Sequence, residues 1–326
     1  MSDERPNPRV DVVIPYYKSF HFLREAVESV VQQTMPDFRL LIIDDSPNDL
    51  QAKSYVQSLG DPRIEYLSYE SNKGINATFE LAHKSFRSPW GIILGQDDRL
   101  MSNFLEKMLA ETESEHSVSL IQSRTRVIDI NGNHIHTIVD SAKFIFFKIY
   151  FVSGRLLNLR HRSDNSIIEG KRAAAALSNG NFLYFPFVMW NREKTKEFNF
   201  RQDLPITSDI DIFFKIFCEG GQLLLIDQQL AEYRRHITSL SGIPDKKLSR
   251  LTEETNTYFN CANSLKWSVN PILKFLSKLH ISTRLYCFIE MFLAIFQGRT
   301  SVARKYLILC LAISNVQSNK PSNRKV

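Results

Sequence analysis

Residues 90–100 read W-G-I-I-L-G-Q-D-D-R-L, and the reading of this stretch decides the fold. Ile92, Ile93 and Leu94 form a short apolar run between Gly91 and Gly95. Such a run, partly β-branched and bounded by glycines, predicts a strand buried on both faces. Asp97 and Asp98 follow at once. Carboxylates just past the carboxyl end of a buried strand lie where open α/β sheets bind ligands. Their hard oxygens suit a divalent cation that also holds phosphates. The other reading is a plain turn ahead of a helix starting near Asn103. The pair alone does not choose between the two.

Working outward, apolar periodicity lays out an alternation. Residues 10–15 (V-D-V-V-I-P) read as a strand closed by proline, and Phe22, Leu23, Ala26, Val27, Val30 and Val31 fall at helical spacing. Residues 39–43 read as a second strand running into Asp44-Asp45-Ser46-Pro47. A helix over 48–59, a strand over 63–68 and a helix over 75–84, after the Asn72-Lys73-Gly74 turn, lead up to Trp90. Beyond it, Asn103 and Glu106 have the spacing of a capping box. Residues 122–133 suit a further strand and hairpin. Strands alternating with helices over short links predict an α/β protein with a doubly wound, mostly parallel sheet.

The 326 residues suit one large domain, alone or with a smaller appendage, and 43% hydrophobic content can fill its core. The first nine residues are polar, with two prolines, and do not resemble a secretory signal. Cys218, Cys261, Cys287 and Cys310 are far apart and match no metal spacing, which favours ordinary thiols in a reducing, cytoplasmic setting. The net charge of +6 is uneven: residues 263–326 hold ten Lys/Arg against Glu290 alone, so the remainder is slightly acidic. That distribution argues against a general nucleic-acid binder and for a local anionic partner such as a membrane surface. Residues 141–162 carry five Lys/Arg, no acid and many aromatics. They read equally as an insertion packed on the core or as an amphipathic, membrane-facing segment or lid.

Six fragments together resemble the family 2 glycosyltransferases in order and spacing: V-V-I-P-Y-Y, E-S-V-V-Q-Q-T, L-I-I-D-D-S, N-K-G-I-N-A, L-G-Q-D-D and Y-R-R-H-I-T-S-L-S. They span residues 10 to 241, about two-thirds of the chain. The resemblance implies a GT-A fold over 1–241 followed by a helical, basic extension over 242–326. Within the first part it implies a nucleotide half (10–133) and an acceptor half (163–241), with the amphipathic segment between them. It also implies an inverting transferase that moves a sugar from a nucleotide-sugar donor, UDP- or dTDP-linked, to a hydroxyl of a glycan or lipid-linked acceptor. Bacterial surface polysaccharide synthesis is the setting by analogy.

The resemblance points to Pro15, Tyr16, Tyr17, Asp44 and Asp45 as nucleotide-holding residues, and Lys73 would add a positive contact. A tyrosine ring can stack on a base, and a carboxylate can accept from a base N–H or a ribose hydroxyl. Asp97 and Asp98 fall on the family's metal-binding D-x-D region, although Gly95 stands where an acid is usual. His236 joins them as a ligand, and Arg234 and Arg235 add positive charge toward the diphosphate; the cation would be Mn2+ or Mg2+. A second departure follows Asn76, where the family often has A-R-N and this chain has Thr78-Phe79-Glu80.

The stretch I-T-S-D-I-D-I at 206–212 resembles the family's E-D-x-D-L, with Ser208 where Glu is common. The family's general base then falls on Asp209. Ser208 is a suitable N-cap for a helix over 209–219, with Ile210, Phe213, Phe214 and Phe217 as its buried stripe. On that helix Asp209 lies at the stripe's edge. Asp211, four residues before Lys215, lies on the exposed face. Residues 185–190 and Asn181 fall where the family lines its acceptor pocket, with Gln96 as a further candidate, while Trp190 reads as core. Helices over 247–267, 272–279, 283–296 and 302–313 complete the chain. Their apolar runs are too short or interrupted to span a bilayer but suit an interfacial anchor, or a helical cap that could make a dimer. A nucleotidyltransferase and a non-catalytic nucleotide-sugar binder are the competing classes. The first usually has a glycine-rich loop after its first strand, where this chain has P-Y-Y-K-S-F.

Overall fold

The protein is described here as a computed structural model, covering residues 8–46, 49–113, 117–157, 165–178, 180–236, 247–264 and 281–311. Pro47, residues 237–241 and the helix expected over 272–279 lie outside them. The strands are β1 (Val10–Tyr16), β2 (Phe38–Asp44), β3 (Ile64–Ser68), β4 (Trp90–Ile93), β5 (Arg99–Leu100), β6 (Val118–Ile128), β7 (Asn165–Ile168), β8 (Val188–Asn191) and β9 (Gln222–Arg234). The helices are α1 (Phe20–Val31), α2 (Leu50–Leu59), α3 (Ile75–Lys84), α4 (Phe104–Ala110), α5 (Ile138–Leu157), α6 (Gly170–Leu177), α7 (Arg192–Thr195), α8 (Ser208–Cys218), α9 (Lys247–Ser264), α10 (Ile281–Phe296) and α11 (Thr300–Leu311).

Among the described residues one sheet runs β3-β2-β1-β4-β8-β6-β9-β5, with β7 also paired to β9. The β3-β2-β1-β4 half is entirely parallel. β8 is antiparallel to both β4 and β6, and β9 is parallel to β6. Six strands therefore point one way: β3, β2, β1, β4, β6 and β9. The sheet is mixed, and its parallel strands share one carboxyl edge.

Both faces of the sheet are covered, as the continuous apolar runs require. Val10, Val12 and Ile14 of β1 pack with Leu23, Val27 and Val30 of α1. Val13, on the other face, packs with Ala82 of α3 in the cluster that also holds Phe213 of α8 and Phe147 of α5. Asp11, in the middle of this apolar strand, is fully buried and satisfied by Arg39 at 2.7 Å and by the Ser88 backbone and hydroxyl.

Two expected features differ. Asn103 precedes α4, but its side chain makes no cap, and Glu106 instead accepts from Thr34 of the loop after α1. The described part of the amphipathic segment is a helix, α5. Phe147 and Phe151 are buried in the core, while Phe144, Ile145, Ile149 and Val152 stay exposed. The C-terminal helices form a cap: Cys287, Met291, Ala294, Ala303, Tyr306 and Leu309 of α10 and α11 pack with Leu251 of α9. Their outer side exposes Leu285, Phe292, Phe296, Ile308 and Leu311. No helix among the described residues is long and apolar enough to cross a membrane.

Candidate active site

The loops that follow β1, β2 and β4 leave the shared carboxyl edge, and β9 ends there beside them. This placement brings residues 97–98 against 234–236. Arg234 N–H donates to Asp98 Oδ1 at 2.9 Å, and Arg234 Nε donates to the Asp97 carbonyl at 2.8 Å. His236 Nε2 lies 2.8 Å from Asp97 Oδ2. Neighbouring ligand atoms on a divalent ion with bonds near ~2.1 Å stand about 3 Å apart. The Asp97–His236 pair therefore fits two adjacent positions of one coordination sphere. Among the described residues no group of three or more His, Cys, Asp and Glu is placed to hold a metal.

Asp98 faces inward. Its carboxyl is buried and pushed well above the ordinary carboxylate range, by burial first and by the Asp97 charge second. It also accounts for Gly95. A Cβ at that position would fall inside van der Waals contact of Asp98 Oδ2. The room that an acid at 95 would need is taken by Asp98.

Arg234 and Arg235 have different surroundings. Arg234 is 1% exposed and binds Glu25, the Asp97 carbonyl and the carbonyls of Asp129 and Ile130 (3.2 and 2.9 Å). Its guanidinium is consumed by the protein and braces the Asp97–Asp98 turn, so the expected contact to a diphosphate is corrected for this residue. Arg235 is half-buried and grips Asp140 of α5 through two hydrogen bonds, 2.6 and 2.7 Å. Burial pushes the Asp140 carboxyl up, but Arg235 with the Thr137 and Tyr184 hydroxyls more than offsets it, and the net shift is downward.

On the nucleotide side, the two tyrosines after β1 also diverge. Tyr16 is buried, with its hydroxyl donating to Asp49 at 2.6 Å, so its ring is not free to stack. Tyr17 is 44% exposed. Its backbone is clamped by Gln96, which accepts from the Tyr17 N–H at 2.7 Å and donates to its carbonyl at 3.3 Å. Gln96 is thereby occupied by the Tyr17 backbone. Lys18 and Ser19 follow with φ of 53° and 70°, a left-handed strain often found where a loop is shaped for a ligand. Pro15 is a buried strand residue.

Asp44 accepts from Tyr66 and from the Ser46 N–H, and burial raises its pKa. Asp45 accepts from the Lys73 and Gly74 N–H groups, at 2.6 and 3.0 Å, and from the Thr78 hydroxyl. Both acids shape the wall from inside. Lys73 is exposed, 5.7 Å above the Tyr69 ring.

Asp209 sits in the first turn of α8, half-buried at the edge of the stripe. Burial pushes its carboxyl up to about 6, against the pull of the Ile210 N–H, Lys143 and Arg250. The helix start is built differently from expectation. Ser208 is the first helical residue, not the cap, and its hydroxyl donates to Asn76 Oδ1 at 3.1 Å. Asn76 Nδ2 also holds the carbonyls of Arg201 and Leu204. Glu253 of α9 accepts from the N–H groups of Ile206 and Thr207, at 2.9 and 2.8 Å, so an acid from another helix serves this N-terminus. Asp211 is buried rather than exposed, paired with Lys215 at 2.6 Å. The Asn181 backbone N–H donates to Tyr258 of α9, and Trp190 is core, stacked on Phe213 at 5.2 Å.

Lys143 of α5 links the two sides. Its ammonium donates to the Leu183 carbonyl at 2.9 Å and lies 4.4 Å over the Tyr184 ring. Burial, with Arg235 beside it, lowers it to about 8, partly offset by Asp140 and Asp209. Lys143 thus feels the charges of Arg235 and Asp140 on one side and of Asp209 on the other, and His236, which meets Asp97, is the residue after Arg235. Sequence reasoning missed Asn76, Asp140, Lys143, Tyr184, Arg250 and Glu253. Lys143 lay in the basic aromatic segment whose composition had stood out.

Acids and a histidine gathered at the carboxyl edge of an α/β sheet, with a raised carboxyl on the adjoining helix, suit a group-transfer enzyme. The profile of Glycosyl transferase family 2 matches residues 11–185, and the chain belongs to that family. It is a glycosyltransferase of the GT-A fold. It is 26% identical over 279 residues to an uncharacterized glycosyltransferase of Methanocaldococcus jannaschii, covering 82% of this chain and 87% of that one. Its fold is similar to S. aureus TarS 1–349 in complex with UDP-GlcNAc (TM-score 0.59, 16% identity, 85% of this chain and 73% of that one). It is also similar to a mannosyltransferase from Pyrobaculum calidifontis in complex with GDP-Man and Mn2+ (TM-score 0.56, 11% identity, 95% and 89%).

Proposed function

We propose that the protein transfers a sugar from a nucleotide-sugar donor to an acceptor hydroxyl in one displacement with inversion, with Asp209 as general base. The observation that carries this reading is the raised Asp209 carboxyl, which shares the field of Lys143 with Asp140 and with Arg235, the residue before His236 of the Asp97–His236 pair. Tyr17 stacks on the base, Asp44 and Asp45 shape the nucleotide wall, and Lys73 reaches toward the phosphates. Asp97 and His236 would hold a divalent cation, Mn2+ or Mg2+, which offsets charge on the leaving diphosphate. Complexes of the similar folds with UDP-GlcNAc and with GDP-Man and Mn2+ agree with such a donor and metal.

In the transfer step, the acceptor oxygen forms a bond to the anomeric carbon and its proton passes to Asp209. The bond to the diphosphate oxygen breaks and the diphosphate keeps the electron pair. A carboxyl raised to about 6 is a better proton acceptor than an ordinary aspartate, yet remains ionised at neutral pH. Hydrolysis of a panel of nucleotide sugars, with and without Mn2+ or Mg2+, tests the activity and identifies the donor. Asp209→Asn should fold normally and lose nearly all transfer; full transfer by that variant would remove the base assignment.

A peripheral place on the cytoplasmic membrane face, and a glycan or lipid-linked acceptor from a surface polysaccharide pathway, belong to the same reading. Support comes from the exposed apolar side of α10 and α11 with Arg299, Arg304 and Lys305 exposed beside it. Phe296→Glu with Ile308→Glu should abolish flotation with anionic vesicles; undiminished flotation would exclude the anchor.

A further inference from the structure

One face of α9 is turned toward the start of α8. Arg250, Glu253, Glu254, Thr257, Tyr258 and Cys261 recur at i, i+3, i+4, i+7, i+8 and i+11, which places them on one side of a helix. Tyr258 and Cys261 are buried in the cluster that holds Phe213 and Phe217 of α8. Leu251, on the flank of that face, packs with Cys287 and Met291 of α10 and Tyr306 of α11. The helix is therefore held between the sheet domain and the C-terminal cap.

The start of α8 leans on this face. The Thr207 side chain makes no capping bond, and the Ser208 hydroxyl is turned to Asn76. One oxygen of Glu253, Oε1, accepts from the Ile206 and Thr207 N–H groups at 2.9 and 2.8 Å and from the Thr207 hydroxyl at 3.0 Å. Thr257 Oγ1 lies 2.8 Å from the same hydroxyl. In a capping box the third residue of the helix accepts from the N-cap N–H. In α8 that third residue, Ile210, belongs to the buried stripe, and Glu253 takes its part from another helix. The Thr207 carbonyl then accepts the first helical bond, from the Asp211 N–H at 3.1 Å. The segment gripped by Glu253 thus opens the turn in which Asp209 stands. Arg250, held by Glu254 at 2.8 Å, is near enough to pull on the Asp209 carboxyl.

Resting on the transferase reading above, we propose that Glu253 is a positioning residue for Asp209. From α9 it fixes the turn at 206–209, and so the distance from the base to the reacting hydroxyl. It acts through Asp209 rather than on the substrate. Both helices of this clamp lie beyond residues 11–185, the part matched by the family profile, so the catalytic unit extends into the C-terminal helices.

Release of nucleoside diphosphate by the full chain tests it, with water in place of the acceptor hydroxyl and giving its proton to Asp209. UDP-GlcNAc, UDP-glucose, dTDP-glucose and GDP-mannose are the probes, and the one cleaved fastest serves for every variant. Glu253→Ala should lower kcat about tenfold to a hundredfold, the cost of displacing a reacting group by up to about 1 Å. Its KM for the nucleotide sugar should stay within about twofold of the parent's. Two conservative variants separate position from charge. Glu253→Gln keeps an acceptor oxygen in place without the charge and should retain most of the parent kcat. Glu253→Asp keeps the charge but withdraws the oxygen by one methylene, and should be the slower of the two. Asp209→Asn with Glu253→Ala should be no slower than Asp209→Asn alone, because residues acting as a unit do not add. Parent-like kcat in Glu253→Ala, a loss carried by KM, Glu253→Asp faster than Glu253→Gln, or a full further loss in the double variant overturns the proposal. If Glu253→Ala does not fold, the order of the Gln and Asp variants decides. Full activity in Asp209→Asn would remove the base assignment and this proposal together, whereas an inactive Asp209→Asn beside a parent-like Glu253→Ala removes the proposal alone.

Discussion

Gly95→Asp installs the acid that the family resemblance implies for this turn, and the geometry predicts harm rather than gain. The new Cβ would overlap Asp98 Oδ2 and meet Asp97 Oδ1 at 3.2 Å. Asp98 cannot swing away freely, because the Arg234 N–H holds its other oxygen at 2.9 Å and the carboxyl is buried. Overpacking of this kind costs about 1–3 kcal/mol. A third carboxylate beside Asp97 and Asp98 adds a like-charge penalty on top. At about 2–4 °C per kcal/mol, melting should fall by roughly 2–12 °C. Gly95→Asp combined with Asp98→Ala relieves the overlap, so the double variant should recover at least about 1 kcal/mol relative to additivity. The assay is thermal unfolding of parent, both single variants and the double variant, each with and without Mn2+, since a bound ion raises stability with its concentration. If Gly95→Asp melts like the parent and gains a larger Mn2+-dependent rise, Asp98 does not occupy the place of the missing acid.

Asp209 carries a stability cost that its variant should expose. Its folded pKa is raised from 3.8 to about 6, so the folded protein binds this proton more tightly, and stability falls as pH rises from about 4 through 6. Asp209→Asn should therefore gain about 1–3 kcal/mol in urea unfolding at pH 8 and little at pH 4, and the parent's transfer rate should drop below about pH 6. A gain that is the same at both pH values would mean the carboxyl is not strained by burial. Tyr16→Phe should lose about 1 kcal/mol of stability with the Asp49 hydrogen bond while nucleotide affinity holds. Tyr17→Ala should do the reverse, weakening nucleotide binding by about 1–3 kcal/mol in a fluorescence titration. Arg234→Met leaves Glu25 and the carbonyls of Asp97, Asp129 and Ile130 without their donor, and should destabilise by about 3–5 kcal/mol in denaturant. A melting curve like the parent's would return Arg234 to a phosphate-binding role.

The parallel half of the sheet was legible because its signals are local. Residues 10–15, 39–43, 63–68 and the run after Trp90 all became strands within a residue or two of their expected ends. The pairing of Asp97 with His236 spans 139 residues and came only through the family pattern, since no periodicity reports it. Asp211 failed for a definite reason. A helical wheel divides one helix into core and solvent and cannot see that Arg201 and Lys215 close over the outer side of α8. The two arginines could not be told apart for a similar reason, because adjacent residues at a strand end face opposite ways and only the neighbours say which one is walled in. The cap of α8 is the most instructive miss. Ser208 is a good capping residue by local rules, but its hydroxyl serves Asn76, and the helix start is served by Glu253. Local rules tend to break where a site imposes its own geometry. Here the break falls one residue before the proposed base, and its consequence is mechanical. Asn76 of α3 and Glu253 of α9 both hold the turn that carries Asp209, so the proposed base is positioned by the sheet domain and the C-terminal helices at once.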